Sequence, residues 1–169
     1  MISVIINFDK LDDFVIRETL NNVLNQTYKN VEILVNISFS KNDFMDIVKC
    51  NDISLDKISI FEEKDIDCIV DDLNGDFFIL KRFEHKWMPD MLRMLIEKFD
   101  SEDIVDSIYS DFFFCDELEN IIKSKNNKSK SVKPLYLIKK IKDEKFNLDS
   151  FLNTNAKKIE KKLYLNQVV

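Results

Sequence analysis

The 169-residue chain contains a single glycine, Gly75, where average usage of about 7% would give roughly a dozen. That scarcity excludes glycine-rich phosphate cradles of the Walker and dinucleotide types, whose backbone geometry needs several glycines. Cysteine is scarce as well: Cys50, Cys68 and Cys115 are odd in number and widely spaced, which excludes a disulfide framework and a CxxC metal site. They read as ordinary buried thiols in a reducing cytoplasm. No apolar run approaches the roughly 20 residues that span a bilayer. Met1 to Phe8 has no basic segment and reaches Asp9 too soon for a signal peptide. Positive charge is also short. Twenty-five Lys plus Arg against 31 Asp plus Glu leave a net charge of −6, which argues against a nucleic-acid partner. Only Arg17, Arg82 and Arg93 are arginines, and the excess of Lys, Asn and Ile reads as coding bias.

What is present is apolar. Hydrophobic residues make up 45% of the chain, 14 of them Phe, enough for a single core and too many for a disordered chain. Ile2 to Phe8 is a β-branched run, the pattern of a strand buried on both faces. Asp12 or Asp13 can cap a helix through Gln26, with Phe14, Ile16, Leu20, Val23 and Leu24 at helical spacing. Val31 to Ile37 is a second buried strand. Lys41 to Cys50 carries Phe44, Ile47 and Val48 on one helical face, and Lys57 to Phe61 is a third strand. Asp65 to Leu73 is a weaker helix closed by Asn74-Gly75, which suits a left-handed end. Asp76 to Leu80 is a fourth strand, and Pro89 opens a helix running to Phe99. Strand and helix alternate from the first residue, so a mainly parallel sheet with helices on its faces is expected.

The second half differs. Ile104 to Cys115 and Glu119 to Lys123 flank a polar turn at Asp116-Glu117 and predict an antiparallel hairpin. Ser124 to Lys133 reads as a polar surface loop, Leu135 to Ile138 as a returning strand, Asp143 to Leu152 as a short helix, and Leu163 to Val169 as a last strand.

Three blocks resemble family-2 glycosyltransferases. Leu20 to Val35 reads LNNVLNQTYKNVEILV, and Gln26, Thr27, Tyr28, Asn30 and Glu32 fall where that family has its Q-T-Y-x-N-x-E-I corner. The corner is largely structural: Gln26 would bond backbone and Tyr28 would pack beneath the sheet. Gly75 to Leu80 followed by Trp87 to Leu92 is similar to the segment that flanks the family's metal-binding acids. Ile108 to Phe112 resembles the strand that often ends in Y-S-D. The likeness covers about residues 1–125.

The resemblance implies a GT-A-like, Rossmann-type open sheet, mainly parallel, with a C-terminal antiparallel hairpin. It implies one domain over 1–169, with a nucleotide-sugar-binding half (1–100) and a reduced acceptor half (101–169). It further implies a nucleotide-diphosphate sugar donor, an Asp-x-Asp motif holding Mn²⁺ or Mg²⁺, and a carboxylate base for the acceptor hydroxyl. The departures fall at the chemistry. Asn7-Phe8-Asp9-Lys10 stands where the first strand usually ends in Pro-Thr-Tyr-Asn, and Asn36-Ile37-Ser38-Phe39-Ser40 replaces Asp-Asp-Gly-Ser. Arg82-Phe83-Glu84-His85 takes the place of the metal motif, with Arg82 at its first acid and Glu84 at its second.

Candidate donor-site residues are therefore Asn7, Asp9, Asn36, Ser38, Arg82 and His85, with Glu84 as the metal ligand and Asp116 or Glu117 as the base. Lys81 and Arg82 offer a metal-free alternative by neutralising a diphosphate directly. Read without the family, His85 and Glu84 are polar loop residues, and Trp87 is core or site wall. Two functions stand. One is a nucleotide-sugar-dependent transferase in bacterial surface polysaccharide or protein glycosylation, cytoplasmic or at most peripheral to the inner face of the membrane. The other is a pseudo-glycosyltransferase that keeps the fold and serves as a binding or scaffolding subunit, with a protein partner or a second copy. Losing acids at two separate places favours the second.

Overall fold

A computed structural model describes residues 1–83, 85–101, 107–110 and 135–139. Their order is β1 (Ile2–Phe8), α1 (Asp13–Leu24), β2 (Val31–Ile37), α2 (Lys41–Cys50), β3 (Ile58–Glu62), α3 (Ile66–Asp71), β4 (Phe77–Lys81), α4 (Met91–Asp100), β5 (Ser107–Ser110) and β6 (Leu135–Lys139). The strands form one sheet in the order β3-β2-β1-β4-β6-β5. β1 is parallel to β2 and β4, and β2 to β3; β6 runs antiparallel to both β4 and β5. The expected mainly parallel sheet with an antiparallel pair towards its C-terminal side is what forms. The partner of β5 is β6, however, and the proposed hairpin arm Glu119 to Lys123 lies outside the described residues. So do the proposed loop 124–133, helix 143–152 and strand 163–169.

Alternation along each strand sorts the core into two clusters. Ile2, Val4, Ile6 and Phe8 pack with Ile33, Val35 and Ile79 under Ile16, Leu20 and Val23 of α1, Phe44 and Val48 of α2, and Leu92, Leu95 and Phe99 of α4. Ile5, Leu34, Phe78 and Ile138 pack on the other face against Ile69, Val70 and Leu73. Helices thus cover both faces. Among the described residues, no helix is long and apolar enough to cross a membrane.

Several boundaries and roles are corrected. α1 stops at Leu24, two residues before Gln26, because Gln26 turns inward at the corner. Asp12 is its cap, with Oδ1 accepting from Val15 N at 3.0 Å. Phe14 is 63% exposed, since successive helical side chains turn by about 100° and Phe14 lies opposite Ile16. α4 begins at Met91, so Pro89 sits in the turn before it. Cys50 and Cys68 are exposed, and Cys115 lies outside the described residues.

Gly75 does not end a left-handed turn. No glycine has positive φ; that backbone region is taken by Asp52 (φ 52°) and Glu63 (φ 48°). Gly75 is needed for space: a Cβ there would stand 2.4 Å from Ser3 Oγ, 2.8 Å from Ser3 N and 2.9 Å from Phe77 O. The same spot is a polar node. Glu32 Oε1 accepts from Ser3 Oγ at 2.5 Å, Asn74 N at 2.7 Å and Gly75 N at 3.1 Å, and Oε2 accepts from Asn74 Nδ2 at 2.8 Å. Burial pushes the Glu32 carboxyl up, but the hydrogen bonds from Ser3, Asn74 and Gly75 outweigh it and hold it below its ordinary value.

Candidate functional site at the carboxyl edge of β1 and β4

The strand order fixes where a site can lie. From β1 the chain steps outward through β2 to β3, then crosses back so that β4 lands on the other side of β1. In an open parallel sheet the crevice outside the carboxyl ends at such a reversal is the usual ligand site. Here it lies between the end of β1 at Phe8 and the end of β4 at Lys81, with Ile6 paired to Lys81.

The two strand ends bring most of the sequence candidates to one edge. Asn7 is exposed on β1 and stands in register with Asn36 on β2, and Asp9 is exposed just beyond β1. Ser38 is exposed one strand over, with its N–H donating to Phe8 O at 3.1 Å. Arg82 is exposed at the end of β4 and His85 is half-buried, its N–H donating to Arg82 O at 3.2 Å. Glu84, Asp116 and Glu117 lie outside the described residues.

Asn36 is already engaged. Its Nδ2 donates to Lys64 O at 2.8 Å and its Oδ1 accepts from Lys64 N at 3.0 Å, so both ends of the amide hold the turn after β3. That turn contains the left-handed Glu63, whose N–H donates to Ile37 O at 2.9 Å. The Lys64 ammonium pairs with Asp72 and lies 4.8 Å from the Phe61 ring centroid.

Lys81 is where the structure departs most from the sequence reading. It shares strand parity with Ile79, so it points to the same face and is only 4% exposed. Its ammonium donates to Arg82 O at 3.1 Å and to His85 O, and lies 5.0 Å from the Trp87 ring centroid. It is therefore folded beneath the bend rather than offered to a diphosphate. Of the two proposed phosphate contacts, Arg82 alone presents its side chain to the surface.

Trp87 forms the wall behind this lysine, as expected for a residue bridging strand and helix. It is 4% exposed, and its indole Nε1–H has no acceptor among the described residues. Two polar side chains of the α1 corner hold the segment that carries it. Asn22 Oδ1 accepts from Trp87 N at 2.9 Å and Asn22 Nδ2 donates to Trp87 O at 3.0 Å. Gln26, 1% exposed, donates from Nε2 to Met88 O at 2.9 Å and accepts from Leu92 N at 3.1 Å. The corner residue thus bonds backbone, as the resemblance implies, and Tyr28 packs partly buried against the larger core cluster. Sequence reasoning did not single out Asn22 or assign Lys81 to the interior; strand parity was the available signal for Lys81.

The described residues do not suit a divalent cation. No group of three His, Cys, Asp or Glu stands together among them.

A search of solved structures finds this architecture elsewhere. A mannosyltransferase from Pyrobaculum calidifontis, solved with GDP-Man and Mn²⁺, superimposes with a TM-score of 0.54 at 18% identity over 64% of this chain and 34% of its own. The chain has a GT-A-like fold. A 4-diphosphocytidyl-2C-methyl-D-erythritol synthase from Anaerococcus prevotii aligns with a TM-score of 0.51 at 14% identity, over 98% of this chain and 78% of that one. The GT-A-like chain therefore spans about a third of the length of the mannosyltransferase it matches. No protein-family model matches it, and no curated protein is similar to it in sequence.

Proposed function

We propose that this GT-A-like domain binds a nucleoside diphosphate, as the leaving part of a nucleotide sugar, at the carboxyl edge between β1 and β4. The observation that carries the reading is the reversal of strand order there, which leaves Arg82 exposed beside the end of β1. Arg82 contacts the diphosphate, as a planar guanidinium suits phosphate oxygens. Asn7, Asp9 and Ser38 line the nucleoside side, His85 lies on the phosphate side, and Asn36 supports the floor through Lys64.

In a transferase, Asp116 or Glu117 takes the acceptor proton, and Glu84 is the carboxylate that the resemblance gives to a metal. The reading preferred here is the quieter one: a binding subunit of bacterial surface-polysaccharide or protein glycosylation that has lost transfer chemistry. The guanidinium of Arg82, standing in the sequence at the place of the first metal acid, supports it.

Thermal unfolding with UDP, GDP or CDP, each with Mn²⁺ or with EDTA, tests binding. At 100 times the dissociation constant a native-state ligand adds about 2.7 kcal/mol, which for a chain of this size raises Tm by roughly 5–11 °C. No shift with any nucleotide overturns the proposal. Release of free nucleoside diphosphate from a nucleotide sugar separates the transferase from the silent module.

A further inference from the structure

We propose that β3 is the contact surface for a second copy of this chain, which pairs with it antiparallel about Ile60 and continues the sheet. The proposal is independent of the nucleotide site, which lies at β1 and β4.

β3 ends the sheet and, among the described residues, pairs with β2 alone. A parallel ladder engages every second residue of a strand. Ile33 stands opposite Ile58 and donates from its N–H to Lys57 O at 2.8 Å, and Glu63 N donates to Ile37 O at 2.9 Å, so Ser59 and Phe61 carry the bonds between. The backbone groups of Ile58, Ile60 and Glu62 therefore face away from the sheet. Ile58 N donates to Leu55 O at 2.9 Å, which leaves Ile58 O and the groups of Ile60 and Glu62 along the edge. Natural edges are commonly blunted by proline or lysine; β3 reads ISIFE and has neither. Ile58 and Ile60 are half-buried against the larger core cluster and Phe61 against the smaller, so a paired strand would cover what they still expose.

Charge selects a second copy and sets its register. With a two-fold at Ile60, the two Ile60 residues exchange both N–H···O bonds, and each Glu62 N–H meets the Ile58 carbonyl of the other copy. Lys57 then lies beside Glu63 of the other copy, and Asp56 beside Lys64. Parallel pairing in register would set like charges together. A two-fold at Ser59 or at Phe61 loses the Lys57–Glu63 pair, and the former also sets Asp56 against Glu62. Lys64 is already held by Asp72, so Lys57 and Glu63, both exposed, carry the selection. The Lys57 ammonium donates to Lys29 O at 2.6 Å, which uses one of its three donors. Within one chain Lys57 and Glu63 flank opposite ends of the strand, roughly 20 Å apart at about 3.3 Å per residue. A change of sign at one can therefore be compensated by the other only between copies. The strand has 5 residues, a short edge against the roughly 1,200–2,000 Å² of a standard interface, so the dimer is weak and reversible.

The test is sedimentation of the full chain without ligand, from about 10 μM to about 1 mM. The wild type should pass from one copy to two across this range. Lys57→Glu alone and Glu63→Lys alone should each weaken the dimer by roughly tenfold, with monomer Tm unchanged. An equimolar mixture of the two variants should dimerise about as well as wild type, because every facing pair is again opposite in sign. Hydrogen exchange reads the edge itself: the amides of Ile60 and Glu62 should exchange fast in the monomer and slowly in the dimer, while those of Ser59 and Phe61 stay protected in both. A chain that remains monomeric to 1 mM overturns the proposal, as does a mixture no tighter than either variant alone. Slow exchange of Ile60 and Glu62 in the monomer also overturns it, since the chain's own residues would then cover the edge. Nucleotide binding has no bearing on these outcomes, and a monomer that binds nucleotide leaves the proposed function standing.

Discussion

Asn22 and Trp87 are joined twice: the Asn22 amide accepts from the Trp87 N–H at 2.9 Å and donates to the Trp87 carbonyl at 3.0 Å. A single side chain thereby supplies what a neighbouring strand would, and fixes the segment between β4 and α4 against α1. Removing it leaves two backbone groups of a buried residue without partners. Asn22→Ala should destabilise the fold by about 1–3 kcal/mol, lowering Tm by roughly 2–12 °C. The sole tryptophan reports the site directly: its emission should shift red in the variant below the unfolding transition. Unchanged emission and Tm would count against the clamp.

Gly75 makes a sharper steric prediction. Gly75→Ala places a methyl 2.4 Å from Ser3 Oγ and within 3 Å of two backbone atoms. Overpacking of this kind costs about 1–3 kcal/mol or more. Ser3→Ala removes only the hydroxyl clash, while Ser3 N at 2.8 Å and Phe77 O at 2.9 Å remain. The double variant should therefore stay less stable than Ser3→Ala alone in urea denaturation. Equal stability of the two would show that the backbone yields freely.

These two residues also show how far the sequence could be read. β1, β2 and α2 have the bounds that their apolar runs predict, because buried strands and an amphipathic helix announce themselves by period. Gly75 was visible as an anomaly, yet composition cannot distinguish a glycine needed for φ from one needed for closeness. Phe14 counts with the apolar residues at helical spacing yet lies about 200° from Ile16 and is exposed, and Cys50 and Cys68, read as buried from residue type, are exposed as well. The edge holding Asn7, Asp9, Ser38, Arg82 and His85 was legible from the resemblance and the parallel order. The inward turn of Lys81 was not, since a charged residue at a strand end reads as surface until its parity with Ile79 is followed.

Glu32 gives a pH prediction with a definite sign. Its carboxyl is held below its ordinary value of 4.5 in the fold, so it stabilises the ionised native state above that value. The contribution is lost as pH falls through the lower, folded value. Glu32→Gln should be less stable than wild type at pH 7, with the gap closing below about pH 4.5. Urea midpoints at pH 7, 5, 4 and 3 measure it. A gap that is constant across this range would mean that the node acts by shape and not by charge.

Arg82 carries the prediction for ligand. An exposed guanidinium on a diphosphate makes charge-assisted hydrogen bonds worth about 1.5–3 kcal/mol, so Arg82→Ala should weaken nucleoside diphosphate binding by roughly 10- to 100-fold. The ligand-free Tm should hardly move, because Arg82 is exposed and its backbone carbonyl, which receives Lys81, is retained. Arg82→Lys should recover only part of the loss, since an ammonium cannot make the bidentate contact. Binding should also weaken as salt rises, as expected for a cation at the surface. Calorimetric titration with UDP or GDP at two salt concentrations measures all three effects. Equal affinity for wild type and Arg82→Ala would move the phosphate contact away from the end of β4.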